Sequence, residues 1–434
     1  MGIDQQFAEP RLPNLDWRKR LDVIVETMRE MSLQTDPQAM VRAYGKRIRQ
    51  LMPADRHVAL SRRGLETPQY RITRASQWTE EINPWKEKHR LPLLEGGLLG
   101  ELLYSDKPQI IDDLQFAPDD PAASYLAGQR SLMAIPHYDG GVALNMTVLM
   151  RSIPHAFDRD DFPEQVWMSN LFGRATQNLV LAEELRQAYD VVDRELKLVA
   201  DIQRSLLPKT IPRIPGLDMA ASYQTSQWAG GDYYDFFPLS ENRWGILIAD
   251  VSGHGTPAAV MMAITHSIAH AVPNFPDPPA TMLNHVNQQL ATLYTTNNEA
   301  FVTAFYGIYD PVKRTLTYAS AGHNPPRLKR CEDGSIIALD GVGNLPLGVM
   351  ADVVYDQYTQ VLRPGDQIVF YTDGITEATN PAGKMFDTER LDEAVANCHL
   401  DANGLIEAVL GAVERFTAGE PAADDRTLLV AKVF

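Results

Sequence analysis

Residues 244–271 read WGILIADVSGHGTPAAVMMAITHSIAHA, and this stretch decides the fold of the carboxy-terminal half. Trp244 to Val251 is an apolar run of strand length that carries a carboxylate, Asp250, near its end. Gly253 and Gly255 break the run. A helix is then predicted over Pro257 to Ala271, since proline is favoured in a first helical turn. An aspartate delivered by an apolar strand to a glycine turn is badly placed for a solvated role.

The arrangement recurs further along. Asp373 ends the apolar run IVFYTDG, Asp232 and Asp235 sit in GGDYYDFF, and Asp424 and Asp425 in AADDRTLLV precede a terminal strand. Each alone reads equally well as a turn former. Several within one domain predict a shared site, where unpaired carboxylates repel one another and are costly to desolvate. Hard divalent cations such as Mg²⁺ or Mn²⁺, which take oxygen ligands, relieve that cost. No Cys/His spacing suggests zinc. The glycine pairs Gly230-Gly231 and Gly253/Gly255 lack GK[ST] and the GxGxxG spacing, so they read as close backbone turns rather than as a phosphate cradle.

Around this core, strands are predicted at Met219–Tyr223, Phe301–Tyr309, Thr315–Ser320, Tyr355–Val361 and Gln367–Thr372, with a second helix over Pro279–Tyr294. The alternation predicts a two-sheet core with helices outside, over residues 208–434. Upstream, Ala182, Leu185, Tyr189, Val192, Leu196, Val199 and Leu206 follow steps of three and four with no Gly or Pro until Pro208. That predicts a helical coiled-coil linker over 178–207, holding a parallel homodimer, although a helix packed on its own domain gives a similar pattern. Residues 20–177 read as an α+β unit. Helices are expected at Asp16–Met31 and Pro37–Met52, a hairpin at His57–Arg62 and Gln69–Arg74, and strands at Ser131–Pro136 and Gly141–Arg151. Residues 1–19 read as a tail.

The chain has 434 residues, enough for two or three domains, with 44% hydrophobic and 22% charged residues, an ordinary globular balance. Forty Lys and Arg against 56 Asp and Glu give a formal charge of −16, which opposes binding to nucleic acid or an anionic membrane. No apolar run approaches a membrane-spanning length and no signal peptide is visible. Cys331 and Cys398 make no disulfide framework. A reducing cytoplasm is the expected home.

The motifs IQRSLLP, GGDYYDFF, IADVSGHGTPAAVMMA, NNEAFVTAFYGIYD, YASAGHNPP, LPLGV, YTDGITEATN and DDRT resemble the SpoIIE/RsbU-like branch of the protein phosphatase 2C-like (PPM) metal-dependent Ser/Thr phosphatases. The resemblance covers about Leu185 to Phe434. It implies an α-β-β-α sandwich with two or more Mn²⁺ or Mg²⁺ ions at one end. It further implies that Asp250 bridges the metals, that the Val251 carbonyl completes one coordination sphere, that Asp373 and Asp424 hold one ion, and that Asp232 sits near the other. Asp235 and Asp425 are expected in support. His254 is a candidate general acid or simply the start of a helix, and His323-Asn324 orient a loop or shape the Pro325-Pro326 turn. The basic phosphate-gripping residue of eukaryotic members has no counterpart before GGDYYDFF.

The run Gly96 to Asp161 (GGLLGELLYSDKPQIIDDL, RSLMAIPHYDGG, MRSIPHAFDRDD) resembles the second half of a GAF domain, implying a sensor with a possible small-molecule ligand or a docking module. It contains no cysteine for a thioether link. Together these resemblances imply a signal-regulated phosphatase acting on phosphoserine or phosphothreonine of a partner protein, a STAS-type anti-anti-sigma regulator. The alternatives are a metal-binding regulatory scaffold with little turnover and, against the missing P-loop, a nucleotide hydrolase.

Overall fold

The computed structural model describes residues 17–272, 278–295 and 300–434, so most of the expected tail and Asn297–Glu299 of the NNEAFV motif lie outside the described residues. Two compact units divide between Tyr189 and Asp190.

The first unit opens with α1 (Trp17–Ser32) and α2 (Pro37–Leu51). Pro37 occupies the first turn of α2, and the Asp36 side chain accepts from Ala39 N, so two of the orphan amide positions are dealt with at once. There follow β1 (Arg56–Ser61), β2 (Gln69–Ala75), β3 (Leu93–Glu95), α3 (Gly97–Tyr104), β4 (Gln109–Ile111), α4 (Ala123–Leu126), β5 (Ser131–Asp139), β6 (Val142–Arg151) and the start of α5 (Phe162–Leu206). The strands form one sheet in the order β3-β2-β1-β6-β5-β4. The predicted hairpin is present as β1–β2, and the two strands expected at Ser131–Pro136 and Gly141–Arg151 pair as a second one, with Gly140 and Gly141, each with positive φ, in the β5–β6 turn. The helix expected from 178 begins at Phe162 and runs 45 residues. Gly173 interrupts its periodicity in the sequence without breaking it.

The second unit carries β7 (Leu217–Gln224), β8 (Tyr233–Pro238), β9 (Trp244–Val251), α6 (Thr256–His270), α7 (Pro279–Leu293), β10 (Val302–Asp310), β11 (Thr315–Ala321), β12 (Arg327–Lys329), β13 (Ile336–Ala338), β14 (Tyr358–Val361), β15 (Gln367–Tyr371), α8 (Asp373–Thr376), α9 (Asp387–Ala394), α10 (Ala402–Thr417) and β16 (Arg426–Val433). Two five-stranded antiparallel sheets result, β14-β11-β10-β9-β8 and β13-β12-β15-β16-β7. Phe305 on β10 meets Phe370 on β15 edge-to-face at 5.8 Å, so the sheets pack face to face. Helices α6 and α7 contact the first sheet, and α10 contacts the second, making the expected four-layer order. The inter-sheet core includes Ile248, Phe305, Ile368 and Leu429. The opposite parity of the second sheet (Val369, Tyr371, Leu428, Val430) packs beneath α8–α10.

The cysteine reading is corrected in one respect. Cys331 and Cys398 form a disulfide, with Cα atoms 5.7 Å apart across a separation of 67 residues. No local spacing signals a pairing that only the return of the chain beside β12 creates. No helix among the described residues is long and apolar enough to cross a membrane.

Candidate active site

Strand parity assembles the site. In the β9–β10 ladder Asp250 faces Thr303 and Ile248 faces Phe305, while in β8–β9 Tyr234 faces Ile248. Side chains alternate, so Asp250, and Asp232 two residues before Tyr234, share the inter-sheet face with Phe305. On the second sheet Phe370 pairs with Leu429, which puts Thr372 and Thr427 on the facing inner surface. The hydrogen bonds close this geometry. The buried Asp232 Oδ2 accepts from Thr372 Oγ1 at 2.7 Å and from Thr427 Oγ1 at 2.6 Å, linking the two sheets at one end.

Asp250 lies within hydrogen-bond reach of Asp232 and feels the charges of Asp373 and Asp424. Burial first, then these neighbours, pushes its carboxyl well above the ordinary range. Burial does the same to Asp232, although the two threonine hydroxyls partly counter it. Asp373, which opens α8, rises to about 6 through burial and the adjacent Asp424 and Glu377. None of Asp232, Asp250, Asp373 and Asp424 has a salt-bridge partner among the described residues.

Asp425 does different work. Its Oδ2 accepts from Gly231 N at 2.7 Å and its Oδ1 from Ser226 N at 2.8 Å, so it fastens the Gly230-Gly231 turn. These bonds offset much of what its burial adds. A Cβ on Gly230 would collide with this carboxylate, and one on Gly231 would lie 3.0 Å from the Val251 carbonyl oxygen. The glycines therefore let the turn press against Val251, beside Asp232. A Cβ on Gly374 would fall on the Asp425 carbonyl. Four carboxylates that feel one another's charge, with a backbone carbonyl near Asp232, offer the oxygen donors that hard divalent cations take.

Asp235 does not join this cluster, which corrects its expected supporting role. It is three residues from Asp232, so it points to the other face of β8. There its carboxylate accepts from Tyr233 Oη and pairs with His270 Nε2, each at 2.7 Å. Asp235, His266 and His270 bring ligand atoms within 4.8 Å of one another, a His-containing group that the sequence reading overlooked although the histidines stand at i, i+4 on α6. His254 is exposed in the turn before α6, with Nδ1 3.0 Å from Gln227 Nε2. His323 is buried against Thr303 Oγ1 at 2.8 Å, and burial lowers its pKa to about 4. It thus packs inside the sandwich just before the Pro325-Pro326 turn. Thr372 and Thr427 were missed as site residues. Each lies inside a recognised motif, an even number of positions from an inward-facing neighbour.

The family described as Stage II sporulation protein E (SpoIIE) matches residues 240–434. The chain is 33% identical over 201 residues to phosphoserine phosphatase RsbU of Bacillus subtilis, covering 46% of this chain and 59% of that protein. It is 27% identical over 188 residues to phosphoserine phosphatase RsbP of the same organism, covering 43% and 46%. It thus spans less than two thirds of either relative. The SiaA-PP2C domain of Pseudomonas aeruginosa shares the fold at a TM-score of 0.51 and 22% identity, covering 57% of this chain and 99% of that one. The sandwich with its inward-facing aspartates, together with these matches, makes the carboxy-terminal part of the chain similar to the SpoIIE-family, PP2C-like phosphatase domains.

Proposed function

We propose that this protein is a metal-dependent phosphatase of phosphoserine or phosphothreonine on a partner protein. The observation that carries the reading is the meeting of Asp232, Asp250, Asp373 and Asp424 from two facing sheets without a cation of the protein's own to neutralise them. Asp250, Asp373, Asp424 and the Val251 carbonyl would hold two or more Mn²⁺ or Mg²⁺ ions, with Asp232 alongside. Such ions, when bound, polarise a phosphoryl group and acidify water. The chain's own residues supply the preorganisation. Thr372 and Thr427 fix the Asp232 carboxylate, Asp425 fixes the glycine turn, and Gly231 and Gly374 keep side-chain bulk away from both. His254, exposed at the mouth of the turn, is the available proton donor for a departing alkoxide.

The regulatory part of the reading rests on sequence. The similarity to RsbU and RsbP supports a STAS-type regulator as substrate. The motifs of residues 96–161 support a GAF-like sensor, and the seam of α5 supports a homodimeric connector. Leu185, Tyr189 and Val192 are all more than half exposed, as a helix awaiting its partner would leave them. A cytoplasmic home fits a regulator of this kind, although the Cys331–Cys398 disulfide counts against a reducing compartment.

Purified full-length protein with Mn²⁺ is expected to hydrolyse p-nitrophenyl phosphate and a phosphoserine peptide, and Asp250→Asn is expected to remove both activities. Turnover that persists in chelator, or that survives Asp250→Asn, refutes the reading. Metal binding without turnover on any phosphoprotein favours the scaffold alternative.

A further inference from the structure

The sheet of the first unit has one apolar face and one mixed face. Val58, Leu60, Tyr70, Ile72, Met146 and Val148 close an apolar core with α3. At the alternate positions Met133, Ile135 and Leu149 form a smaller apolar cluster with Met52, while His57, Ser61, Arg71, Thr73, Asn145 and Thr147 line a cavity of about 930 Å³ together with Ile135 and Leu149. Helix α2 contributes Tyr44 and Ile48 to its wall, Met52 follows just past the helix end, and α5 contributes Phe172 and Thr176. A sheet face covered by helices is ordinarily apolar, because buried polar groups without partners are costly. Here the polar groups face open space large enough for a ligand.

The lining is also strongly one-signed. Seven lysine and arginine residues line it against three glutamates. One of those, Glu81, faces both Arg42 and Arg74 at 3.6 and 3.7 Å. Arg71 donates through Nη1 to the Leu91 carbonyl, but its Nε is buried and has no hydrogen-bond partner, as is the Thr176 hydroxyl. Arg74 lies over the Trp85 ring at 5.7 Å, and Trp78 lines the same wall. Burial, with Arg49 and Arg74 close by, keeps His57 below its ordinary pKa, as a positive enclosure would. Fixed positive charge beside indole rings selects a negative group attached to a flat apolar body.

We infer that this cavity binds a small organic anion with an aromatic or similarly flat apolar body, its charged group held by Arg71 and Arg74. The inference does not depend on the phosphatase reading, and a binding titration tests it without any turnover.

The probe is 1-naphthalenesulfonate, titrated calorimetrically into the full-length chain. The neutral 1-naphthalenemethanol and the cationic 1-naphthylmethylammonium are run beside it. One saturable sulfonate site per chain is expected, with the alcohol weaker and the ammonium weakest. Arg71→Met keeps the side chain's length and removes its donors, and should weaken the sulfonate about tenfold or more. Gly45→Leu is the second variant. Gly45 lines the cavity within α2 and a Cβ there meets nothing within 4 Å, so leucine fills the space while favouring the helix. It should abolish binding with the circular dichroism spectrum unchanged. Should either variant lose its folded spectrum, the other decides. The inference is overturned if no saturable sulfonate binding occurs, if the alcohol binds as tightly as the sulfonate, or if the folded variants bind like the wild type.

Discussion

Replacing Asp373 by asparagine should stabilise the metal-free protein while disabling the site. Its carboxyl, ordinarily at 3.8, is raised to about 6 by burial and by Asp424. The gap of about two pH units, at about 1.4 kcal/mol each, amounts to ~3 kcal/mol. Asp373 is half-buried, and solvent screening trims this to about 2 kcal/mol. The raised pKa gives the direction. Below pH 3.8 the group is protonated in both folded and unfolded chains and costs nothing. Between 3.8 and 6 the unfolded chain ionises while the folded protein, which holds the group among like charges, keeps its proton, so stability falls until both are ionised above 6. Asparagine has no such charge. In a chelator the variant should therefore melt roughly 4–8 °C above the wild type at pH 7.5, for a unit of this size, and by about half as much at pH 5. The assay is differential scanning calorimetry across that range. Saturating Mn²⁺ should reverse the order, since a ligand at a hundredfold excess over its dissociation constant stabilises by about 2.7 kcal/mol and the variant has lost a ligand. A variant melting at or below the wild type in chelator at pH 7.5 would refute the claim that these carboxylates are held together against their own repulsion.

Three further outcomes follow from the same geometry. Metal affinity should tighten as pH rises from 6 to 9, because Asp232 and Asp250, both raised by burial, must release protons before they ligate; isothermal titration showing a pH-independent affinity would contradict this. Gly374→Ala should cost about 1–3 kcal/mol in urea unfolding and most of the turnover, because the new methyl meets the Asp425 carbonyl; an unaltered enzyme would show that the α8 turn is looser than described. Charged residues at Val192 and Val199 should yield monomers in sedimentation, since Val192 is exposed on α5 and Val199 keeps part of its surface free beside Ala200, Ala229 and Ala259, and an unchanged dimer would reject that seam.

What the sequence made legible, and what it hid, divides along physical lines. The ends of β9 and β15 were visible because long apolar runs stop abruptly at Asp250 and Asp373, and α6 was visible because Thr256-Pro257 opens a periodic segment. Strand β8 escaped, since YYDFF places aromatics on both faces and shows no alternation. Helix α10 escaped because Gly404 and Gly411 dilute its pattern, although Asp401 caps it through Gly404 N at 2.8 Å. The disulfide and the Asp235–His270 pair depend on segments brought together only by the finished fold. The polar character of one face of the amino-terminal sheet was present all along in the alternation of Arg71 and Thr73 with Tyr70 and Ile72. It means nothing until both covering helices are known.

The division of labour between Asp232 and Asp235 is the most instructive case, because it follows from a spacing of three. Both belong to one motif, both are buried, and residue type alone treats them alike. A strand alternates with period two, so an odd separation must send them to opposite faces. The inner face supplies Asp232 with two threonine hydroxyls and three further carboxylates, a setting that keeps it acidic only when a cation is near. The outer face supplies Asp235 with a tyrosine hydroxyl and an imidazole, which satisfy it outright. A single-residue insertion between them would therefore place both carboxylates on the inner face. That would add a fifth negative charge to a cluster already straining against four, and the β8–β9 register would slip before the sandwich accepted it.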